Sequence, residues 1–293
     1  RRAAGPCDAA PVPSARLAFS PLDVQRSFAM HRMGMGDPTA QLGPDRLVKT
    51  FHSEGGAVRV SLTRQGGEVA VEAEGPDAEA VLAGWLAVLP PDDGHAAFAP
   101  EHPLVRRLHR AFSGLRLVPV PWRFDVACAA ILEQRVTMQD ARLSWKRIAL
   151  EHGTRGPLGT AFPPPAVVAG LPGWELERLG VDPKRGRALV ALAKEESRRP
   201  FLSGADRAAL RERLLTLHGI GPWTTEMVLG YGAGDPDAVL VGDLHAPRLV
   251  CWALAEEPRG DDARMLALLA PFAGHRFRVT RLLMGAPFRA PRL

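Results

Sequence analysis

The run Leu217-His218-Gly219-Ile220-Gly221-Pro222-Trp223-Thr224 constrains this chain more than any other stretch. It lies between two segments of helical pattern, so the fold must accommodate a helix, a tight glycine turn and a second helix in close succession. Glycine alone lets a backbone turn this sharply and approach a ligand closely. Pro222 has the fixed φ and missing N–H that suit the first position of the second helix. Unpaired N–H groups at such a turn make a ready site for phosphate. The bland alternative is ordinary glycine-then-proline punctuation between two helices. Leu217 and Ile220 favour more than that. They predict a turn packed on its inner side and bare on its outer edge, suited to gripping a nucleic-acid backbone without reading its sequence.

Asp243 follows Trp223 by twenty positions, in Val241-Gly242-Asp243-Leu244-His245. Aspartate just ahead of a helix pattern is a favoured N-cap. The apolar run Val239-Leu240-Val241 would bring Asp243 out of the core beside the hairpin, where one carboxylate can cap a helix and also serve chemistry. Trp223 reads either as core or as a stacking platform. Gln134 is either a helix-surface amide or a contact residue, and Leu117, in Gly114-Leu115-Arg116-Leu117, can be an ordinary packed leucine. His218, His245 and His275 lack the i, i+4 spacing of a helical metal pair.

At 293 residues the chain is long enough for two domains, each with its own core. Its hydrophobic fraction of 46% and charged fraction of 24% are those of an ordinary globular protein. The net charge of +5 and pI near 9.6 are compatible with a polyanionic partner. Lys49, Lys146, Lys184 and Lys194 are the only lysines, so the arginine-dominated basicity equally fits a GC-rich genome. Cys7, Cys128 and Cys251 cannot supply four thiolates, which excludes a cysteine-built zinc ribbon or iron–sulfur cluster. An odd, sparse set also opposes a secreted disulfide scaffold. The absence of a membrane-length apolar run or a signal-peptide core makes a reducing cytoplasm the expectation.

Residues 1–16, rich in Ala and Pro, read as a disordered arm. A short helix is expected around Leu22, Val24 and Phe28. Strands follow over 46–52, 57–63 and 68–73, the last two joined by a hairpin at Gln65-Gly66-Gly67, and then a helix over 76–89. This order predicts an α+β domain over 17–99, with helices on one face of an antiparallel sheet. A Pro/Asp/Gly/His-rich link at 90–103 ends it. Beyond lie helix patterns over 104–112, 125–136, 140–152, 165–171, 183–198, 205–216, 222–231, 245–255, 261–270 and 275–284. Ser203 and Asp261 are expected N-caps. The expectation is an all-helical domain over 100–293 with the hairpin at 206–232.

These residues resemble the helix-hairpin-helix/Gly-Pro-Asp superfamily of DNA glycosylases, and within it the DNA-3-methyladenine glycosylase II group. Gly114-Leu115-Arg116-Leu117, Ala130-Ile131-Leu132-Glu133-Gln134 and Val136-Thr137 are similar to the group's stretch ahead of the hairpin. Leu217 to Thr224 matches the hairpin itself, and Asp243 to Arg248 matches the strip that bears the catalytic aspartate. The resemblance implies a TATA-binding-protein-like sheet domain ahead of the helical one. It also implies a monofunctional glycosylase that excises alkylated purines by base flipping and hydrolysis, in base excision repair. Asp243 would be the catalytic carboxylate, with Trp223, Met227, Leu244 and Met284 around the base. Leu117, or its neighbour Val118, would be the wedge entering the duplex. Gln134, Gly219, Ile220, Gly221 and Thr224 would meet DNA. Carbonyls of Leu215, Leu217 and Ile220 would hold a monovalent Na or K ion, with no cofactor required. The partner would be damaged double-stranded DNA, bound by a monomer associated with the nucleoid and not with a membrane.

Two departures bear on this. Met227, Leu244 and Met284 stand where familiar members have tyrosine or tryptophan, which leaves the substrate range open. Trp223 stands where bifunctional relatives carry a lysine. Two other readings stay open: a non-catalytic binder of distorted duplex in which Asp243 only caps a helix, and a glycosylase for oxidised or mismatched bases.

Overall fold

The structure, a computed structural model, describes residues 12–204 and 206–286. Its first part comprises β1 (Ser14–Ala18), α1 (Val24–Phe28), β2 (Ala40–Leu42), β3 (Arg46–Ser53), β4 (Gly56–Gln65), β5 (Glu68–Glu74) and α2 (Ala78–Leu86). The remainder runs through α3 (Pro103–Ala111), α4 (Arg123–Leu132), α5 (Met138–His152), β6 (Thr154–Gly156) and β7 (Gly159–Ala161). It continues with α6 (Pro165–Gly170), α7 (Gly173–Arg178), α8 (Pro183–Arg198), α9 (Arg207–Leu215), α10 (Pro222–Met227), α11 (Ala246–Ala255), α12 (Asp262–Leu269) and α13 (Arg276–Met284).

The five longer-range strands form one antiparallel sheet in the order β1-β5-β4-β3-β2. Alternation decides which face is buried: Val58, Val60 and Leu62 of β4 point inward with Val69, Val71 and Ala73 of β5. Gly66, at φ 65, makes the turn between them. Trp85 of α2 closes this core. Its indole donates to the Pro119 carbonyl at 3.0 Å and its ring meets Trp122 at 5.3 Å. Thus Val118, Val120 and Trp122, on the helical side of the expected boundary at residue 99, complete the core of the sheet. A second, larger core joins the helices, from Val105 to Leu283.

Buried charges stitch the two parts together. Lys49 of β3 meets Asp125 of α4 at 2.8 Å and also donates to Thr39 Oγ1 at 2.8 Å. Asp93 takes Arg116 at 3.1 Å and Arg278 of α13 at 3.1 Å. Thr50 Oγ1 donates to the Leu158 carbonyl at 2.9 Å, seating the β6–β7 turn against β3.

Several expectations need correction. Residues 14–16, expected in the arm, belong to β1, which pairs Ser14 with Glu72 and Ala18 with Glu68 on β5; the rest of that arm up to residue 11 lies outside the described residues. The region beyond residue 103 is not purely helical, because β6 and β7 form a small hairpin. Asp206, not Ser203, caps α9, accepting the N–H groups of Ala208 and Ala209. Asp261 does cap α12. Among the described residues, no helix is long and apolar enough to cross a membrane.

Candidate active site

The α9–α10 hairpin is held from inside. Gly219 sits at φ +80, and a Cβ there would stand 2.7 Å from the Ala188 Cβ of α8. Glycine is therefore needed both for the turn and for the close approach. Ile220 is buried, its N–H donating to the Leu217 carbonyl at 3.1 Å. Gly221 faces open space. Among the described residues, the N–H groups of Gly219 and Gly221 donate to no backbone carbonyl. Gln134, just past α4, braces the turn: its Nε2 donates to the Gly219 carbonyl at 3.0 Å and to Thr224 Oγ1 at 2.8 Å.

Trp223, the second residue of α10, reaches from the hairpin to the aspartate. Its Nε1 donates to Asp243 Oδ2 at 2.8 Å. Asp243 Oδ1 accepts the N–H groups of His245 and Ala246, each at 2.7 Å, where α11 begins. Gly242, at φ +86, turns the chain out of the core just before it. The cap reading and the chemical reading of Asp243 are thus compatible. Three N–H donors fix a half-buried carboxylate beside the hairpin, a preorganised anion of the kind that stabilises developing positive charge.

Two side chains that feel the charge of Asp243, Tyr231 and Glu133, carry no mark in the sequence. A π-helical turn, Val228–Gly232, follows α10 and presents the buried Tyr231. Such turns often mark functional sites. Arg281 of α13 lies over the Tyr231 ring at 4.8 Å. Burial raises the Tyr231 phenol; Arg281 works against that rise, while the charges of Glu133 and Asp243 add to it. Glu133, adjacent to Gln134, is the other newcomer. Burial pushes its carboxyl up to about 7; Arg142 of α5 offsets part of the rise and Asp243 adds to it. Arg135 follows in the same turn, exposed and at φ 54. Glu133 and Arg135 adjoin a residue that the sequence had singled out, but nothing local marks a carboxyl for an altered pKa or a non-glycine for the left-handed region.

The expected site residues divide. Trp223, Asp243, Gln134, Gly219 and Gly221 converge. Leu117 is a correction: it is 3% exposed within the helical core, its N–H donating to Asp93 Oδ2 at 3.0 Å. A side chain packed there cannot enter a duplex, and Val118 is buried likewise. Thr224 also faces inward, spending its hydroxyl oxygen on Gln134. The four residues expected around the base are spread. Met227 is buried in the core, whereas Leu244 is 85% exposed and Met284 lies at the surface end of α13. Of the three carbonyls expected to hold a cation, that of Leu217 accepts the Ile220 N–H.

With this geometry in place, likeness to known proteins can be read. No family model matches the chain. The solved 3-methyladenine DNA-glycosylase from Archaeoglobus fulgidus superposes with a TM-score of 0.73 over 92% of this chain and 97% of that one, at 18% identity. The chain shares the fold of that protein. By sequence, the chain is 33% identical over 145 residues to the DNA-3-methyladenine glycosylase 2 of Escherichia coli, covering 46% of this chain and 51% of that protein. It is 32% identical over 128 residues to a probable bifunctional transcriptional activator/DNA repair enzyme AlkA of Mycobacterium tuberculosis, covering 41% of this chain and 25% of that protein. Curated and structural neighbours together point to the helix-hairpin-helix DNA-3-methyladenine glycosylase family. The matched stretch spans a quarter to about half the length of these curated relatives.

Proposed function

We propose that the chain is a monofunctional DNA glycosylase that removes alkylated purines from duplex DNA by hydrolysing the N-glycosidic bond. The observation that carries this is the link from hairpin to carboxylate: Trp223 ends on Asp243 at 2.8 Å, directly behind a turn with free N–H groups.

A base inside the stack cannot be reached, so it must be flipped out, at a cost of a few kcal/mol that is smallest for damaged pairs. The N–H groups of Gly219 and Gly221 grip phosphate. The carbonyls of Leu215, Leu217 and Ile220 would hold a sodium or potassium ion, adding positive charge for the same phosphate. An N-alkylated purine already carries positive charge and leaves readily. Asp243 then stabilises the oxocarbenium character that develops at the sugar and orients the attacking water. The indole face of Trp223 favours an electron-poor base by ~1–2 kcal/mol. The indole N–H is a donor only and cannot form a Schiff base, so water is the nucleophile and the abasic strand stays intact.

The partner in this reading is damaged double-stranded DNA, bound by a monomer in the nucleoid of a cytoplasm, and the sheet domain is a TATA-binding-protein-like module. The test is release of free 3-methyladenine and 7-methylguanine from methylated DNA, with borohydride trapping alongside. Absence of base release would leave a binder of distorted duplex. Covalent trapping with strand scission before alkali would mark a lyase.

A further inference from the structure

We propose that the groove between α8 and the α6–α7 corner is a docking site for an acidic amphipathic helix of a protein partner. It lies apart from the hairpin and its carboxylate, and it goes beyond the glycosylase reading.

The groove has a volume of about 490 Å³. Leu171, just past α6, and Leu176 of α7 form one side of its apolar floor, and Val190 and Ala191 of α8 form the other. Val190 and Ala191 are only half-buried. Such a floor favours apolar side chains over a sugar-phosphate backbone, because covering it gains by removing apolar surface from water. Apolar surface continues past the rim. Trp174, next to the lining Gly173, is 69% exposed, and Val167 of α6 is 40% exposed. An exposed tryptophan beside an apolar groove fits an interface, where that residue is enriched among the contacts that carry affinity.

Charge then selects the occupant. Arg187 and Lys194 line the groove from α8, and Lys184 stands a turn ahead of Arg187 on the same exposed stripe. Among the described residues, none of these three makes an ion pair, whereas their neighbours on α8 are answered: Arg185 by Asp182 at 2.5 Å and Arg198 by Glu195 at 2.8 Å. Glu177 is the acid on the opposite wall. An apolar floor under one cationic rim is complementary to a helix whose apolar residues, at i, i+3, i+4 and i+7, are flanked on one side by carboxylates. Arg187 and Lys194 are separated by about 10 Å along α8, so two turns of the partner helix span them.

The placement leaves the hairpin free. Arg187, Val190, Ala191 and Lys194 share one face of α8, and Ala188, which packs against Gly219 of the hairpin, lies roughly a third of a turn round from it. A helix in the groove and a ligand on the hairpin meet different sides of α8.

The test uses the full chain and a fluorescein-labelled helical peptide of about four turns, with leucines at i, i+3, i+4 and i+7 and glutamates beside them. A second peptide carries lysines in place of the glutamates. Fluorescence anisotropy should show the glutamate peptide binding at least about tenfold more tightly than the lysine peptide, with the difference shrinking as salt is raised. In the double variant Arg187→Glu/Lys194→Glu the preference should reverse, and the binding gained by the lysine peptide shows that this variant folds. Ala191→Phe, which fills the floor, should weaken both peptides by about tenfold or more while thermal unfolding shows the chain folded. Saturating duplex DNA should leave peptide binding unchanged. Failure of the glutamate peptide to bind, equal binding of the two peptides, or an unreversed preference in the double variant would overturn the proposal. Displacement by duplex would make the groove a nucleic-acid surface, and self-association abolished by Lys194→Glu would make its occupant a second copy; either result overturns the proposal as well. None of these measurements depends on base release, which tests the glycosylase reading separately.

Discussion

The seam between sheet and helices and the edge of the hairpin both carry carboxyl groups, and they handle them differently. At the seam, Asp125 faces Lys49 at 2.8 Å, and Asp93 faces both Arg116 and Arg278; each carboxylate is almost wholly enclosed and each charge is answered. The Asp93 carboxyl shows the result. Burial alone would raise it, but the Arg116 hydrogen bond, the Arg278 charge and the Leu117 N–H hold it down at about 2. At the hairpin, Asp243 is held by N–H dipoles and stays half exposed, and burial raises Glu133 to about 7 despite the opposing charge of Arg142. The same residue types thus do different work. A carboxylate answered by a cation fixes how elements meet, whereas one oriented by neutral donors still has charge to offer a ligand.

The largest expected effect lies at the seam. Lys49→Met leaves Asp125 buried without its cation and should destabilise the fold by about 3–5 kcal/mol in urea unfolding. Adding Asp125→Leu should recover most of that, because the uncompensated charge goes with it. If the single variant unfolds no earlier than the parent, the seam is not what holds the two parts together.

At the hairpin the corresponding change should leave stability nearly alone and remove chemistry. Asp243→Asn keeps an oxygen for the α11 N–H groups but not the charge, so excision of 7-methylguanine should drop ~10²–10³-fold with DNA affinity retained. Near-parental release would reduce Asp243 to a cap and erase the contrast with the seam.

Trp223→Phe asks how much the orienting donor contributes. It keeps a ring at the hairpin and removes the N–H that meets Asp243, so the single-turnover rate should fall about tenfold, as expected for one hydrogen bond to a charged group. A loss confined to substrate affinity would assign the indole to stacking alone. Smallest should be Gln134→Ala. Freeing the Gly219 carbonyl and Thr224 hydroxyl loosens the brace by about 1 kcal/mol, or several-fold in DNA affinity. That loss should be the same for all sequences, since phosphate contacts carry no base information. A sequence-dependent loss would make Gln134 a base contact.

What could be read from the sequence was what local chemistry determines. Gly219, Pro222 and the apolar Leu217 and Ile220 define the hairpin within eight residues, and alternating valines define β4 and β5. The edge strands were not legible. β1 exists because Ser14–Ala18 finds β5 far along the chain, pairing Ser14 with Glu72 and Ala18 with Glu68, and its own pattern carries little apolar signal. Leu117 was misjudged for a related reason: whether a loop leucine points in or out depends on Asp93 and on the close approach of Gly234 to its carbonyl. Asp243 was identified by its flanks, but the indole donor that orients it lies across a twenty-residue separation. Glu133 was in view beside Gln134, yet its raised pKa comes first from burial, with Asp243 adding to it, and neither is written in the local sequence.

Trp223 occupies the second position of the helix that starts at the bare edge of the turn, and its indole ends on Asp243. In the glycosylase reading proposed above, a phosphate seated on the glycines and a sugar facing the carboxylate would be separated by one stiff piece of protein. That piece would act as a ruler. The number of nucleotides between the gripped phosphate and the attacked sugar would then be set by the protein, not by the DNA. A duplex seated one step out of register would present the neighbouring sugar to the same anion, so each phosphate in turn would select which glycosidic bond faces the carboxylate.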